Sequence, residues 1–138
     1  MPEYTLRCPT LETSPRIARD FVASVLRAQR LGALVDDATV CVSELVTNSC
    51  VHAKGTDAVL RLATGPAVVR VTVYDEDRTP PAPSEGYDAE SGRGLWIVEA
   101  LTEGRWGTEP GTRLGLTGEG GKGVWFELDA AATWKTRP

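Results

Sequence analysis

The chain has 138 residues, of which 41% are hydrophobic and 25% are charged, an ordinary balance for one globular domain with its own core. Its formal net charge is −4, and its arginines and lysines are scattered singly, without the basic stripe typical of nucleic-acid-binding proteins. No apolar run approaches the roughly 18 residues of a membrane-spanning helix, and the N-terminus has no signal-peptide core. We therefore expect a single cytoplasmic domain over residues 1–138, without direct contact to nucleic acid or membrane.

The cysteines Cys8, Cys41 and Cys50 do not form a recognisable metal or disulfide pattern. Their number is odd, no C-x-x-C occurs, and the chain has one histidine, so a zinc site or a His-rich metal site is excluded. We expect them to act as small buried apolar residues in a reducing compartment.

The first part of the chain predicts a short strand over Tyr4–Cys8 and a helix over residues 13–30. Ser14 is suited to cap this helix, with Pro15 at the first helical position, where its missing N–H costs little. Apolar residues then recur at helical spacing: Ile17, Ala18, Phe21, Val22, Val25 and Leu26.

A second helix is predicted over residues 36–53, with Asp36 and Asp37 near its positive N-terminal end and Gly55 as its stop. Two strand-like runs follow at 57–64 and 67–75, joined by the turn signal Gly65-Pro66.

Residues 76–91 form a long proline-containing loop, which is either functional or mobile. The segment 91–101 predicts a glycine turn that opens a third helix, with Trp96 packed in the core. A short strand within 103–110, a loose turn region over 111–123 and a last strand over 124–130 complete the chain. This order predicts an α+β two-layer sandwich: a mixed, largely antiparallel sheet with helices on one face.

Within the second helix, Glu44, Asn48 and His52 are spaced four residues apart. Four residues advance a helix by about 40° beyond one turn, so the three side chains share a narrow polar stripe. The opposite side carries the residues expected to face the core: Val42, Leu45, Val46 and Ser49. The stripe is either the solvent face of an amphipathic helix or a set of oxygen acceptors for a hydrated Mg²⁺.

Two further features allow both a structural and a binding interpretation. Asp75, at the end of a strand, could cap the following turn or accept a hydrogen bond from an exocyclic amine. Gly92 and Gly94 bracket Arg93 before an apolar helix, where free N–H groups could bind phosphate or form an ordinary turn.

Other nucleotide and hydrolase motifs fail. Residues 118–123, GEGGKG, match G-x-G-x-x-G but precede a strand, and Leu116 and Gly123 are incompatible with a Walker A loop around Lys122. His52 lies inside a helix without a nucleophile motif, which excludes a Ser-His-Asp hydrolase.

Four segments in this order, SELVTNSCVHA, VYDEDRTPP, GRGLWIVEAL and GKGVWFEL, resemble the ATP-binding domains of the GHKL (histidine-kinase-like) superfamily. The resemblance covers most of the chain and is strongest to the anti-sigma-factor serine/threonine kinases and their small actinobacterial relatives. It implies the Bergerat ATP-binding fold, with ATP and Mg²⁺ as cofactors.

The resemblance also implies residue roles. Glu44 would position or deprotonate the attacking group, Asn48 would bind Mg²⁺, and His52 would lie one turn further along, near the nucleotide. Asp75 would accept the adenine amino group.

In the same resemblance, a glycine box comprising Gly92, Arg93, Gly94 and the following Leu95 would wrap the phosphates. Residues 76–91 would form a lid over ATP.

At two positions the chain differs from these relatives. Asp77 stands where they usually have glycine or a small residue, and we expect the extra carboxylate to weaken ATP binding or to hold the lid. Gly123 replaces a common threonine, so we expect a hydroxyl within reach of the phosphates to be lost.

The function implied is that of an anti-sigma factor that phosphorylates a STAS-type antagonist protein and sequesters a sigma factor. Such relatives often form homodimers. Two alternatives remain: a non-catalytic module, with or without nucleotide, that regulates a protein partner by binding alone, and an accidental likeness of the motifs.

Overall fold

The computed structural model describes residues 2–77, 90–111 and 121–130, with the backbone alone for residues 90–93. These residues form five strands and three helices, with a short 3-10 turn, Gly32–Leu34, before the second helix. In chain order the elements are β1 (Glu3–Pro9), α1 (Ser14–Ala28), α2 (Val35–His52), β2 (Asp57–Thr64), β3 (Val68–Asp75), α3 (Glu90–Thr102), β4 (Trp106–Pro110) and β5 (Lys122–Asp129).

The strands form one sheet in the order β1-β2-β3-β5-β4, and neighbouring strands are antiparallel throughout. The pairing register places Tyr4, Leu62, Val71, Phe126 and Trp106 in one row across all five strands. The three central members are fully buried and the two edge members partly buried, because the helices cover this inner face of the sheet. The predicted α+β sandwich is confirmed, and the expected strands agree closely with those observed.

The N-cap of helix α1 lies one residue before the predicted cap, Ser14. Thr13 occupies the N-cap position without a side-chain hydrogen bond, and Ser14 is already helical. The Ser14 hydroxyl instead donates to the Pro9 carbonyl and accepts from the Leu11 N–H at 3.4 Å, so it ties the end of β1 to the helix. Pro15 lies in the first turn, as predicted.

Helix α2 agrees with its prediction more closely. Asp36 and Asp37 lie in its first turn and His52 in its last, each favourable to the helix dipole. The chain leaves the helix after His52, and Gly55 adopts a φ of +86°, a conformation that glycine reaches without steric cost. The predicted inner side is confirmed as buried: Val42, Leu45, Val46 and Ser49.

Two expectations for the second half are wrong. Helix α3 begins at Glu90, so Gly92 and Gly94 lie within its first turns and do not form a turn before it. Trp96 is 52% exposed, whereas Leu95 and Val98 are the residues of α3 that are buried in the core. The predicted lid falls largely on residues 78–89 and the turn region largely on 112–120, which lie outside the described residues.

The cysteines behave as expected of apolar side chains. Cys8 and Cys41 are buried and Cys50 partly so, and all are free thiols. Burial is the main reason that the pKa of Cys41 is raised to about 12, so this thiol stays protonated at neutral pH. In the described part of the chain, no helix is both long and apolar enough to span a membrane.

The central row of the sheet generates a prediction with a matched control. Leu62 is 0% exposed in the core, whereas Leu11 is 56% exposed between β1 and α1. We expect Leu62→Ala to lower the free energy of unfolding by about 2–5 kcal/mol, because it leaves a cavity. We expect Leu11→Ala to change it by less than about 0.5 kcal/mol. Urea denaturation of both variants checks this, and equal effects would contradict the assignment of the core.

Candidate functional site

Asp75 is a buried carboxylate held from three directions. It ends β3 on the inner face of the sheet and is 5% exposed. The Ser49 hydroxyl of α2 donates to its Oδ2 at 2.6 Å, and the Asp77 backbone N–H donates to its Oδ1 at 2.9 Å. Lys122 Nζ, at the start of β5, donates to the same Oδ1 at 3.2 Å. A buried charge needs such partners, because burying it unpaired would cost several kcal/mol or more.

The Asp77 side chain joins this cluster from the chain segment that follows β3. Its Oδ2 and its backbone carbonyl oxygen both lie 3.3 Å from Lys122 Nζ. Lys122 therefore bridges two carboxylates two residues apart, and the Asp77 N–H closes a local turn onto Asp75. The turn-capping and ligand-binding interpretations of Asp75 are thus compatible.

The polar stripe of α2 is only partly a solvent face. Glu44 and Asn48 are half-buried, whereas His52, at the helix end, is exposed. A Cβ atom placed on Gly94 would lie 2.6 Å from Glu44 Oε2, so α3 approaches Glu44 as closely as a residue without a side chain allows. Glu44 therefore points at the start of α3, and the solvent-face interpretation fits His52 best.

The predicted glycine box begins α3. Gly92 lies in the first turn of this helix. The backbone N–H groups of a first turn have no acceptor within the helix, so they are suited to bind an anion. Arg93 and Gly94 follow directly. The Leu95 side chain is buried in the core, so any contribution of Leu95 to the site comes from its backbone or its packing.

The structure corrects the interpretation of Gly123. In β5 this residue pairs with Tyr74, and both face the outer side of the sheet, away from α2. A Cβ at Gly123 would lie 2.7 Å from the Tyr74 ring. A threonine hydroxyl here would face away from Asp75, so its loss removes nothing from the inner-face site.

Sequence reasoning missed Ser49 and Lys122. Ser49 was assigned to the core side of α2, and it is indeed buried, but its hydroxyl is the shortest contact of Asp75. The feature of the sequence that could have pointed to Ser49 is its position directly after Asn48. Lys122 pairs directly with Asp75 across the β3–β5 ladder, and no pattern in the sequence predicts that register.

The donor set fits a magnesium nucleotide. Mg²⁺ usually keeps several waters and takes only one or two protein oxygens beside phosphate oxygens. Asn48 and Glu44 supply oxygens of that kind, and no cluster of three or more His, Cys, Asp or Glu side chains is placed to hold a metal alone within residues 2–77, 90–111 and 121–130. Asp75 supplies a buried acceptor for an amino group.

The molecule has the features of a nucleotide-binding α+β domain. Its antiparallel sheet is covered by helices, a buried acceptor lies at a strand end, and oxygen ligands on one helix lie beside the glycine-containing start of another. The family described as the histidine kinase-like ATPase domain matches residues 8–117, and the chain belongs to this family. A comparison with curated proteins found none that matches the chain. Glu44, Asn48, Asp75 and the glycine box lie inside the matched range, whereas Lys122 lies outside it.

Ser49 gives a testable consequence for the site. Ser49→Ala removes the donor to Asp75 Oδ2 and leaves a buried carboxylate oxygen without its shortest partner. We expect the free energy of unfolding to fall by about 1–3 kcal/mol. Ser24→Ala, on the exposed face of α1, is the matched control and should change it by less than about 0.5 kcal/mol. Equal stability of the two variants in urea would contradict the role of Ser49.

Proposed function

We propose that the protein is an ATP-binding anti-sigma factor that acts as a Mg-ATP-dependent serine/threonine kinase. Its substrate would be a small STAS-type antagonist protein, and it would also sequester a sigma factor. The family supports ATP as the ligand. The resemblance of the four segments to anti-sigma-factor kinases supports the finer assignment.

The observation that carries the proposal is the meeting of Glu44 with the start of α3. Glu44 lies one helical turn before Asn48 on α2, and its carboxylate reaches Gly94 of α3. Ser49, next to Asn48, binds Asp75 on the sheet. One helix thus connects the candidate acid–base residue, the candidate metal ligand and the candidate base acceptor.

Phosphoryl transfer needs positioning and charge neutralisation more than covalent help from the protein. When bound, Mg²⁺ would supply positive charge at the phosphates. Asn48 would hold the ion through its side-chain oxygen, and the N–H groups in the first turn of α3 would face phosphate oxygens. Glu44 would orient the acceptor hydroxyl and take its proton. Asp75 would accept the adenine amino group.

The second candidate is a non-catalytic module that regulates a protein partner by binding alone. The hydrogen bonds that already occupy Asp75 favour it, because a nucleotide must share that carboxylate with Ser49, Asp77 and Lys122. The half-exposed Trp96 on α3 would offer a large apolar contact for such a partner.

Calorimetric titration with ATP, with and without Mg²⁺, separates the two candidates. We expect magnesium-dependent binding by the unchanged protein and a loss of affinity of about tenfold or more in Asn48→Ala, because the metal loses a protein oxygen. Absence of nucleotide binding by the unchanged protein would contradict the proposed kinase and favour the binding module.

Glu44→Ala is the matched variant on the same stripe. We expect it to bind Mg-ATP like the unchanged protein but to lose transfer of labelled γ-phosphate to STAS-type proteins, because the acceptor is no longer oriented. Transfer that survives in Glu44→Ala would refute the assigned role of Glu44.

A further inference from the structure

Lys122 is held in a way that suits a positioning residue. Its ammonium group has three N–H donors, and three acceptors lie within reach: Asp75 Oδ1 at 3.2 Å, and Asp77 Oδ2 and the Asp77 carbonyl oxygen each at 3.3 Å. The side chain is only 15% exposed. With its ammonium group within hydrogen-bond distance of these acceptors, Lys122 holds the two aspartates together.

The backbone around Lys122 places this residue beside the two aspartates. A Cβ at Gly121 would lie 2.8 Å from the Asp75 carbonyl oxygen, so only glycine lets β5 begin against the end of β3. The Gly111 N–H donates to the Gly121 carbonyl at 2.8 Å and fixes this strand start from the β4 side. Lys122 is therefore placed by tight packing of backbone, independently of its charge.

The acceptor capacity of Asp75 is compatible with a further ligand. An ionised carboxylate has about four lone-pair positions, and Ser49, Asp77 and Lys122 use three of them. About one position is left for an amino group. The ionised Asp75, Asp77 and Lys122 together carry the charge of a single carboxylate.

We propose that Asp77 and Lys122 form a charge-compensating pair that keeps Asp75 available as the base acceptor of the nucleotide site. This inference rests on the proposed function and deepens it, because it assigns Lys122 as a positioning residue for nucleotide binding. The Asp77 carboxylate is tolerated beside that of Asp75 because Lys122 pairs with both. Without Lys122, Asp75 and Asp77 repel each other and must move apart, which displaces the acceptor.

A double-mutant cycle tests the pair, with Mg-ADP as the probe and calorimetry as the readout. We expect Lys122→Met to weaken binding by about tenfold or more, because it leaves two neighbouring carboxylates uncompensated. Asp77→Asn leaves Lys122 paired with Asp75, so we expect it to change the affinity less than Lys122→Met does. The double variant Asp77→Asn/Lys122→Met should recover most of the lost affinity, and Lys122→Arg should retain it. Lys54→Met, at an exposed lysine, is the matched control and should have no effect.

Recovery in the double variant separates the proposal from a purely structural role, in which the double variant would bind no better than Lys122→Met. Urea denaturation of each variant shows that it is folded. Additive effects on affinity, or normal binding by Lys122→Met, would overturn the inference and leave the proposed function intact. Failure of the unchanged protein to bind Mg-ADP would overturn both.

Discussion

The buried carboxylate of Asp75 joins the helix α2 to the sheet through a polar contact in the core. It lies on the inner face of the sheet, next to the apolar pair Val73 and Val124. A buried charge there requires hydrogen-bond or ion-pair partners. Ser49 reaches it from α2, and Lys122 reaches it from β5. Because α2 also carries Glu44 and Asn48, the Ser49–Asp75 hydrogen bond fixes the position of the polar stripe relative to the sheet.

Helix α3 supplies the second constraint on the stripe. Gly94 lets α3 approach α2 until its backbone meets Glu44, and any larger residue would push that carboxylate away. Glu44 is therefore held between two helices and not left on a solvent face. The position of the candidate acid–base group thus depends on the absence of one side chain on the neighbouring helix.

The sequence predicted the local features of this site well. The spacing of Glu44 and Asn48 depends only on helix periodicity, and the strand that ends at Asp75 follows from alternating valines; both agree with the structure. The contacts of Ser49 and Lys122 could not be predicted in the same way. They depend on how α2 sits on the sheet and on the β3–β5 register, which are set by packing between distant segments.

Gly123 and Asp77, the two positions that the sequence analysis singled out as unusual, lie on opposite faces of the sheet. Gly123 faces the outer side of the sheet, where the Tyr74 ring occupies the space of a side chain. Asp77 does face the site and is paired there with Lys122, which it shares with Asp75.

The outer face has a separate polar network. The Arg70 guanidinium lies 4.2 Å from the Trp125 ring and pairs with Glu109 and Glu127. This surface lies across the sheet from Asp75 and is a natural reference for experiments on the inner face.

We propose that the nucleotide binds between α2, the start of α3 and the end of β3. The most direct test is a set of ¹H–¹⁵N NMR spectra of the protein titrated with Mg²⁺ and a non-hydrolysable ATP analogue. We expect the largest shift changes at the amides of Asn48, Ser49, Asp75 and Gly94, with Arg70 on the outer face unchanged. Changes that cluster around Arg70, or spectra that do not change at all, would contradict it.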